Sequence, residues 1–225
     1  MGEAIGQVLP LAVGVALSPL PIVAVVLMLV TPRGRANGIA FVAGWIVGLA
    51  VVGAVVLVVA GKAGPSDDGS PATWVSVLKL VLGVALAGVG IRQFRGRPRG
   101  DAHPATPKWM RALDTFTPAK AAGAGALLSG ANPKNLLLAV AASASIAQAA
   151  GTTADEVVAY AVFVLVATLG VAAPVAIALA LGDRARRVLD ELQAWMSANN
   201  AVIMAVLLLV IGAKLVGDAL QGFSA

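Results

Sequence analysis

The sequence predicts an all-α, polytopic membrane protein in which six transmembrane helices form one domain. Of its 225 residues, 59% are hydrophobic and only 12% are charged, whereas soluble domains carry about 25% charged residues. The apolar residues fall into six runs, each long enough to cross a bilayer, and short polar loops separate the runs. The predicted spans cover residues 4–30, 38–60, 74–91, 121–146, 157–181 and 201–220.

The loops between these spans alternate in charge. The first, third and fifth loops carry nearly all of the loop arginines and lysines, whereas Lys62 is the one basic residue of the second and fourth. Because basic loops stay in the cytoplasm, both termini are predicted to be extracytoplasmic in a plasma (inner) membrane. The third loop, residues 92–120, is then a basic cytoplasmic connector between two repeats, residues 1–91 and 121–225.

Each repeat contains three spans, so the two repeats must have opposite orientations in the membrane. Their first spans share a weak pattern, in which Ser18 precedes Pro19 and Pro21, and Ser129 precedes Pro133. Proline interrupts a helix because it lacks the N–H donor and its ring clashes with the preceding turn. The pattern predicts an inverted 3+3 repeat with broken helices 1 and 4, a plan of transporters that bind substrate at the breaks.

The second break also places a positive charge in the middle of a span. Lysine at the bilayer centre costs roughly 2.5–3.5 kcal/mol on insertion scales, yet Lys134 follows Pro133 directly. No acidic residue lies at comparable depth in a predicted span, unless Asp155 or Asp183 reaches inward. We therefore expect Lys134 to meet a phosphate or carboxylate of a substrate. The alternative is structural pairing with carbonyl groups that Pro133 leaves free.

The other polar residues at the breaks have two interpretations each. Asn132 and Asn135 either bind polar groups of a substrate or cap the two half-helices. Ser18 and Ser129 either face a substrate or bond back to carbonyl groups of their own helices. The candidate substrate-binding residues are Ser18, Pro19, Pro21, Ser129, Asn132, Pro133, Lys134 and Asn135.

Glycines and two further lysines mark helix contacts and span ends. Gly44 and Gly48 have the small-xxx-small spacing that lets two helices approach closely. We expect this pair to serve packing within the chain rather than dimerisation. Lys79 and Lys214 lie near the outer ends of spans 3 and 6, where lysine side chains snorkel to the interface.

Several functional classes are excluded by what the sequence contains. It has no Cys and a single His, His103, so disulfides, thiolate chemistry and a His-rich metal centre are excluded. No phosphate-binding loop or Ser/His pair is present, and a Ser129–Lys134 dyad is unconstrained across a helix break, so neither an enzyme nor a cofactor is predicted. The basic residues behind the net charge of +5 lie in loops that flank the spans, so they do not indicate binding of nucleic acid.

Residues 107–117 and 183–196 have basic amphipathic patterns, typical of helices on anionic lipid or of solvated loops.

These motifs resemble those of the GAP (peptidoglycolipid- or sulfolipid-addressing) family, a branch of the LysE transporter superfamily. The likeness covers nearly the whole chain. It is carried by the runs Ala16-Leu17-Ser18-Pro19-Leu20-Pro21-Ile22, Leu29-Val30-Thr31-Pro32-Arg33-Gly34-Arg35, Phe41-Val42-Ala43-Gly44-Trp45 and Ser129-Gly130-Ala131-Asn132-Pro133-Lys134-Asn135-Leu136. The resemblance implies six spans with an internal repeat. It also implies a role in moving cell-envelope glycolipids across the plasma membrane of mycobacteria and related actinobacteria.

Together these features predict a transporter that exports or flips an anionic or glycosylated envelope lipid, or its precursor. The mechanism would be alternating access around Pro21 and Pro133. One alternative is a small-solute or ion exporter of the LysE type, and another is a non-transporting scaffold for envelope lipid synthesis. The expected partner is the membrane lipid itself, with envelope-synthesis proteins and a second copy of the chain as further candidates.

Overall fold

The computed structural model describes residues 1–62, 73–96 and 115–224. Within these ranges the chain forms eight α-helices and no strand, which confirms the all-α class. A short 3-10 turn, Gly182–Arg184, joins the last two helices. The amphipathic stretch predicted at 107–117 falls mostly outside the described residues. The helices are α1 Gly2–Ala16, α2 Pro19–Leu29, α3 Gly34–Lys62, α4 Thr73–Arg95, α5 Pro118–Gly130, α6 Pro133–Ala149, α7 Thr153–Leu181 and α8 Ala185–Ser224.

Four helices of the described chain, α3, α4, α7 and α8, are long and apolar enough to cross a membrane. The pair α1 and α2 meets the same criterion as a single span that is bent by 51°. The described residues therefore contain four candidate spans, or five when the bent pair counts as one, as expected of a multi-pass membrane protein. The pair α5 and α6 is not among them. These two helices have 13 and 17 residues, each fewer than the about 20 that a straight span needs.

The predicted break in the first span is confirmed. Helix α1 ends at Ala16, and Ser18 adopts an extended backbone before Pro19, the first residue of α2. A proline at the first helical position loses no hydrogen bond, because the N–H groups of the first turn have no partner within the helix. Pro19 therefore starts a new helix instead of continuing α1.

The predicted break in the second half is confirmed as well. Helix α5 ends at Gly130, and the Leu127 carbonyl oxygen accepts from the N–H groups of both Ala131 and Asn132. Asn132 then caps α6, because its Oδ1 accepts from the Lys134 N–H at 3.1 Å. The capping interpretation of Asn132 is thus confirmed, and the cap fixes where α6 starts.

Glycines let α3 and α5 pack with their backbones in contact. A methyl group on Gly44 would overlap the Ala122 carbonyl oxygen, and one on Gly48 would overlap Ser129 Oγ. From the other side, a methyl group on Gly125 would overlap the Phe41 carbonyl oxygen. The small-xxx-small spacing therefore serves packing within the chain, as predicted, and it holds α5 against a long span.

Two other helix pairs depend on small residues in the same way. Gly170 of α7 lies against the Ala16 carbonyl group at the end of α1. Gly83 of α4 and Gly212 of α8 face each other, and a methyl group on Gly212 would come within 2.8 Å of the Gly83 oxygen. The Gly170 contact anchors the end of α1, and hence the first break, on α7.

Helix α8 corrects the prediction of a fifth loop over residues 182–200. The helix begins at Ala185 and continues for 40 residues, which is about 60 Å at 1.5 Å per residue. That length is about twice the hydrocarbon thickness. Residues 185–211 contain neither Gly nor Pro, and the Arg, Glu, Gln and Ala residues there favour helix. The segment 183–196 is thus largely continuous with the helix of the last candidate span rather than a separate helix.

The helix ends collect at two opposite faces. At one face the α2–α3 turn and the α7–α8 turn line a common cavity. At the other face the start of α1 and the ends of α6 and α8 surround a second cavity. This grouping matches the alternation of odd and even loops in the sequence. The first is called the basic face below and the second the terminal face.

Candidate functional site

Lys134 of α6 reaches across to the break between α1 and α2. Its Nζ donates to the Gly14 carbonyl oxygen at 2.7 Å and to Ser18 Oγ at 2.6 Å. The next contact in the described chain is with Met204 Sδ of α8 at 4.0 Å, and sulfur is a weak acceptor. Because an ammonium group carries three donors, one donor lacks a strong acceptor among the described residues.

Ser18 and Asn135 connect the two breaks directly. Ser18 Oγ lies 2.7 Å from the Val15 carbonyl oxygen and 3.0 Å from Asn135 Oδ1, and it accepts from Lys134. Asn135 Nδ2 donates to the Leu128 carbonyl oxygen at 2.9 Å, in the last turn of α5. Both side chains are buried, with exposed fractions of 3% and 0%. One hydrogen-bonded network therefore joins the ends of α1, α2, α5 and α6.

This network carries positive charge without a counter-ion in the described chain. The salt bridge found there, Lys214–Asp218, lies in α8 and does not involve Lys134. Asp155 belongs to the first turn of α7, and the side chain of Asp183 lies outside the described residues. The carbonyl end of α1 favours the Lys134 ammonium group, but the N-termini of α2 and α6 add positive potential at the same place. The arrangement suits a negatively charged group.

The structure brings together only part of the candidate set. Pro19 and Pro21 are buried in the first turn of α2, where they shape the break. Pro133 starts α6 and is exposed. Ser129 is fully buried but takes no part in the Lys134 network, because its Oγ donates to the Ala126 carbonyl oxygen at 3.1 Å and it packs against α3. Its bond back to its own helix was the alternative interpretation, and that one is confirmed.

Three residues of the network were not predicted from the sequence. Gly14 and Leu128 contribute only carbonyl oxygens, and Met204 contributes a thioether. Any residue type offers a carbonyl group, so no composition signal marks Gly14 or Leu128. Met204 belongs to an apolar run of α8 and resembles any other core methionine.

A second polar cluster lies at the terminal face. Lys79 is only 5% exposed, and its Nζ donates to Gln148 Oε1 at 2.5 Å. That Lys79 snorkels to a membrane interface stays a prediction, since its amine bonds an acceptor in α6 and lines a cavity at the terminal face. Lys214 bonds Asp218 Oδ2 at 2.6 Å. Glu3, Gln7 and Asp218 join Lys79 around a cavity of about 230 Å³.

The chemistry of these sites does not include a metal centre in the described residues, where no group of three or more His, Cys, Asp or Glu side chains comes together. This geometry is that of a multi-pass helical membrane protein in which a partly buried lysine joins two broken helices. A family model described as Sap, sulfolipid-1-addressing protein, matches residues 8–221. The chain belongs to this family, as its motifs predicted. Searches of curated proteins and of solved structures returned no match.

Proposed function

We propose that this protein is a transporter that exports or flips an anionic or glycosylated envelope lipid, or its precursor. The observation that carries the proposal is the position of Lys134, which bridges both helix breaks without a carboxylate partner among the described residues. An anionic headgroup would supply the missing acceptor for the third N–H of the ammonium group. Membership in a family named for addressing sulfolipid-1 supports a role in envelope lipid handling.

We further propose that α5 and α6 together form a sixth span and that the fold is an inverted repeat of the LysE type. In that arrangement α1–α2, α3 and α4 correspond to α5–α6, α7 and α8. The helix contacts support it. When the two repeats are exchanged, the packing of α1 on α7 becomes the packing of α5 on α3, and both contacts are present. In the same way, α2 on α8 corresponds to α6 on α4, and α2 on α3 corresponds to α6 on α7. The pairs α4 with α8 and α3 with α7 are their own counterparts, and α3 with α6 matches α7 with α2. The contacts of α1 with α6, α1 with α8 and α7 with α8 have no counterpart of similar extent among the described residues, so the symmetry is partial.

The breaks supply a route for alternating access. The half-helices end in hydrogen bonds between side chains and carbonyl groups, such as those of Ser18 and Asn135, which exchange partners more easily than a continuous helix does. A headgroup that bonds Lys134 would compete with the Gly14 carbonyl oxygen and Ser18 Oγ. Binding would thus loosen the link between the repeats on one side. The sequence has no phosphate-binding loop, so the energy would come from an ion or substrate gradient or from a partner protein.

The alternative proposals differ in what the network does. A small-anion exporter of the LysE type would use the same lysine, whereas a scaffold for lipid synthesis would use the breaks only as structure. One feature would suit an enzyme, the 2.6 Å contact between Lys134 and Ser18. We propose that this pair is not catalytic, because Ser18 is buried and its hydroxyl group already lies within bonding distance of Val15 and Asn135.

Purified protein in liposomes tests the function directly. We expect it to move a fluorescent anionic glycolipid between leaflets faster than protein-free liposomes do, and to move a zwitterionic lipid with the same chains more slowly. Equal rates for the two lipids would contradict headgroup selection. If the protein moves no lipid but co-purifies with a lipid synthase, the scaffold is supported instead. Export of a water-soluble anion alone would favour the small-solute alternative.

The orientation in the plasma membrane is proposed from loop charge and has its own test. The chain contains no cysteine, so single cysteines report position without a background. We expect Arg33→Cys to react with a membrane-impermeant maleimide only in permeabilised cells, and Gly151→Cys to react in intact cells. Both positions are exposed. The reverse pattern would place the basic face outside.

A further inference from the structure

A cavity of about 440 Å³ opens at the basic face, away from the Lys134 network. It lies between the turn that follows α2 and the turn that joins α7 to α8. Helix α2 separates it from Ser18, and the 11 residues of that helix give a distance of about 16 Å. The cavity and the first break therefore lie at opposite ends of α2.

The charged side chains that the structure describes around this cavity all have one sign. Arg33, Arg35 and Arg186 line it, and none of the described lining residues is acidic. None of the three forms a salt bridge with a carboxylate in the part of the chain that the structure describes. Three guanidinium groups around one hollow repel one another unless an anion joins them, and guanidinium geometry matches phosphate and sulfate oxygens.

The backbone adds to this charge. Helix α3 begins at Gly34 and α8 begins at Ala185, and both residues line the cavity. Two helix N-termini thus contribute positive potential to the arginine cluster. The start of α8 can lie at the cavity because Gly182, with a φ of 55°, lets the chain turn sharply from α7 into α8. Arg35 lies 3.8 Å from where a Cβ on Gly182 would be.

The same cavity also has apolar lining residues. Leu29, Val30, Ala178 and Leu189 line it together with the arginines. Leu29 ends α2, and Ala178 lies in the last turn of α7. A hollow lined by both guanidinium groups and apolar side chains fits a headgroup with its acyl chains better than it fits a free anion.

We propose that this cavity binds the phosphate or sulfate group of an anionic membrane lipid. That the bound lipid is cargo on its way to Lys134 rests on the proposed transport function, whereas the binding itself does not. Arg33, Arg35 and Arg186 hold the charged, non-bridging oxygens of this group, and the adjoining leucines and alanine contact the glycerol or acyl region. Lys134 then takes the headgroup from the far end of α2.

The test measures lipid retention and uses matched triple variants. Protein is reconstituted in phosphatidylcholine nanodiscs with or without phosphatidylglycerol, extracted, and examined by native mass spectrometry. The variant R33Q/R35Q/R186Q removes the cavity arginines. The variant R95Q/R184Q/R187Q removes the same charge from positions that do not line the cavity. All six arginines are exposed, so both variants are expected to fold.

We expect wild-type protein and the control variant to retain phosphatidylglycerol, and the cavity variant to bind it about tenfold or more weakly. Equal weakening in both variants would show that general surface charge, and not this cavity, retains the lipid, and it would overturn the site. Displacement of the lipid by inorganic phosphate at similar concentration would assign the cavity to a free anion and overturn the lipid proposal. Selective loss in the cavity variant supports the site whether or not the liposomes show transport, so a failed transport assay bears on the proposed function alone.

Discussion

Replacing Lys134 with methionine is expected to lower lipid transport by about 10- to 100-fold while leaving the protein folded. The magnitude follows from losing one hydrogen bond between a charged donor and an anionic headgroup, which is worth about 1.5–3 kcal/mol. Each 1.4 kcal/mol changes a rate or affinity about tenfold. The measurement compares initial rates of leaflet exchange in liposomes that contain equal amounts of wild-type and Lys134→Met protein.

Stability separates a functional from a structural role for this lysine. Replacing a charge that has no counter-ion by an apolar side chain of similar size removes the cost of taking that charge out of water. This gain offsets the loss of the hydrogen bonds to Gly14 and Ser18, so the melting temperature of Lys134→Met should stay the same or rise. Lys214→Met serves as the matched control, because Lys214 lies in a candidate span and is partly buried like Lys134, but it is paired with Asp218. A lower melting temperature for Lys134→Met, with transport reduced only in proportion to the folded fraction, would make Lys134 structural.

The sequence predicted the helix breaks because their causes are local. Pro19 and Pro133 cannot continue a helix, and Asn132 caps the next one through an N–H group only two residues away. These features need no knowledge of how the two halves of the chain meet.

The partners of Lys134 could not be predicted for the opposite reason. Gly14 and Ser18 lie 120 and 116 residues away along the chain, and their contact with Lys134 depends on how α6 packs against α1. The same limit explains Lys79, whose acceptor Gln148 comes from another helix. Helix α8 shows a different limit. Hydropathy marks where the membrane ends, but only Gly, Pro or a cap marks where a helix ends.

Adding one methyl group at Gly125 is expected to destabilise the protein by about 1–3 kcal/mol, the usual cost of overpacking. For a chain of this size each kcal/mol shifts the melting temperature by about 2–4 °C. The physical reason is that a Cβ at this position would overlap the Phe41 carbonyl oxygen and lie 2.9 Å from the backbone nitrogen of Trp45. Backbone atoms cannot move aside as a side chain can, so α3 and α5 must separate. The measurement is thermal unfolding of Gly125→Ala in nanodiscs.

Gly123→Ala is the matched control, since it lies on the same helix and a Cβ there would meet no atom within 4 Å. Alanine is favoured over glycine in helices by about 1 kcal/mol, so this variant should be at least as stable as the wild type. If both variants melt alike, α3 and α5 do not pack through their backbones. If only Gly125→Ala is destabilised, its transport should fall further than its folded fraction. The reason is that α5 ends at Gly130, four residues before Lys134, so separating it from α3 moves the second break and with it the lysine.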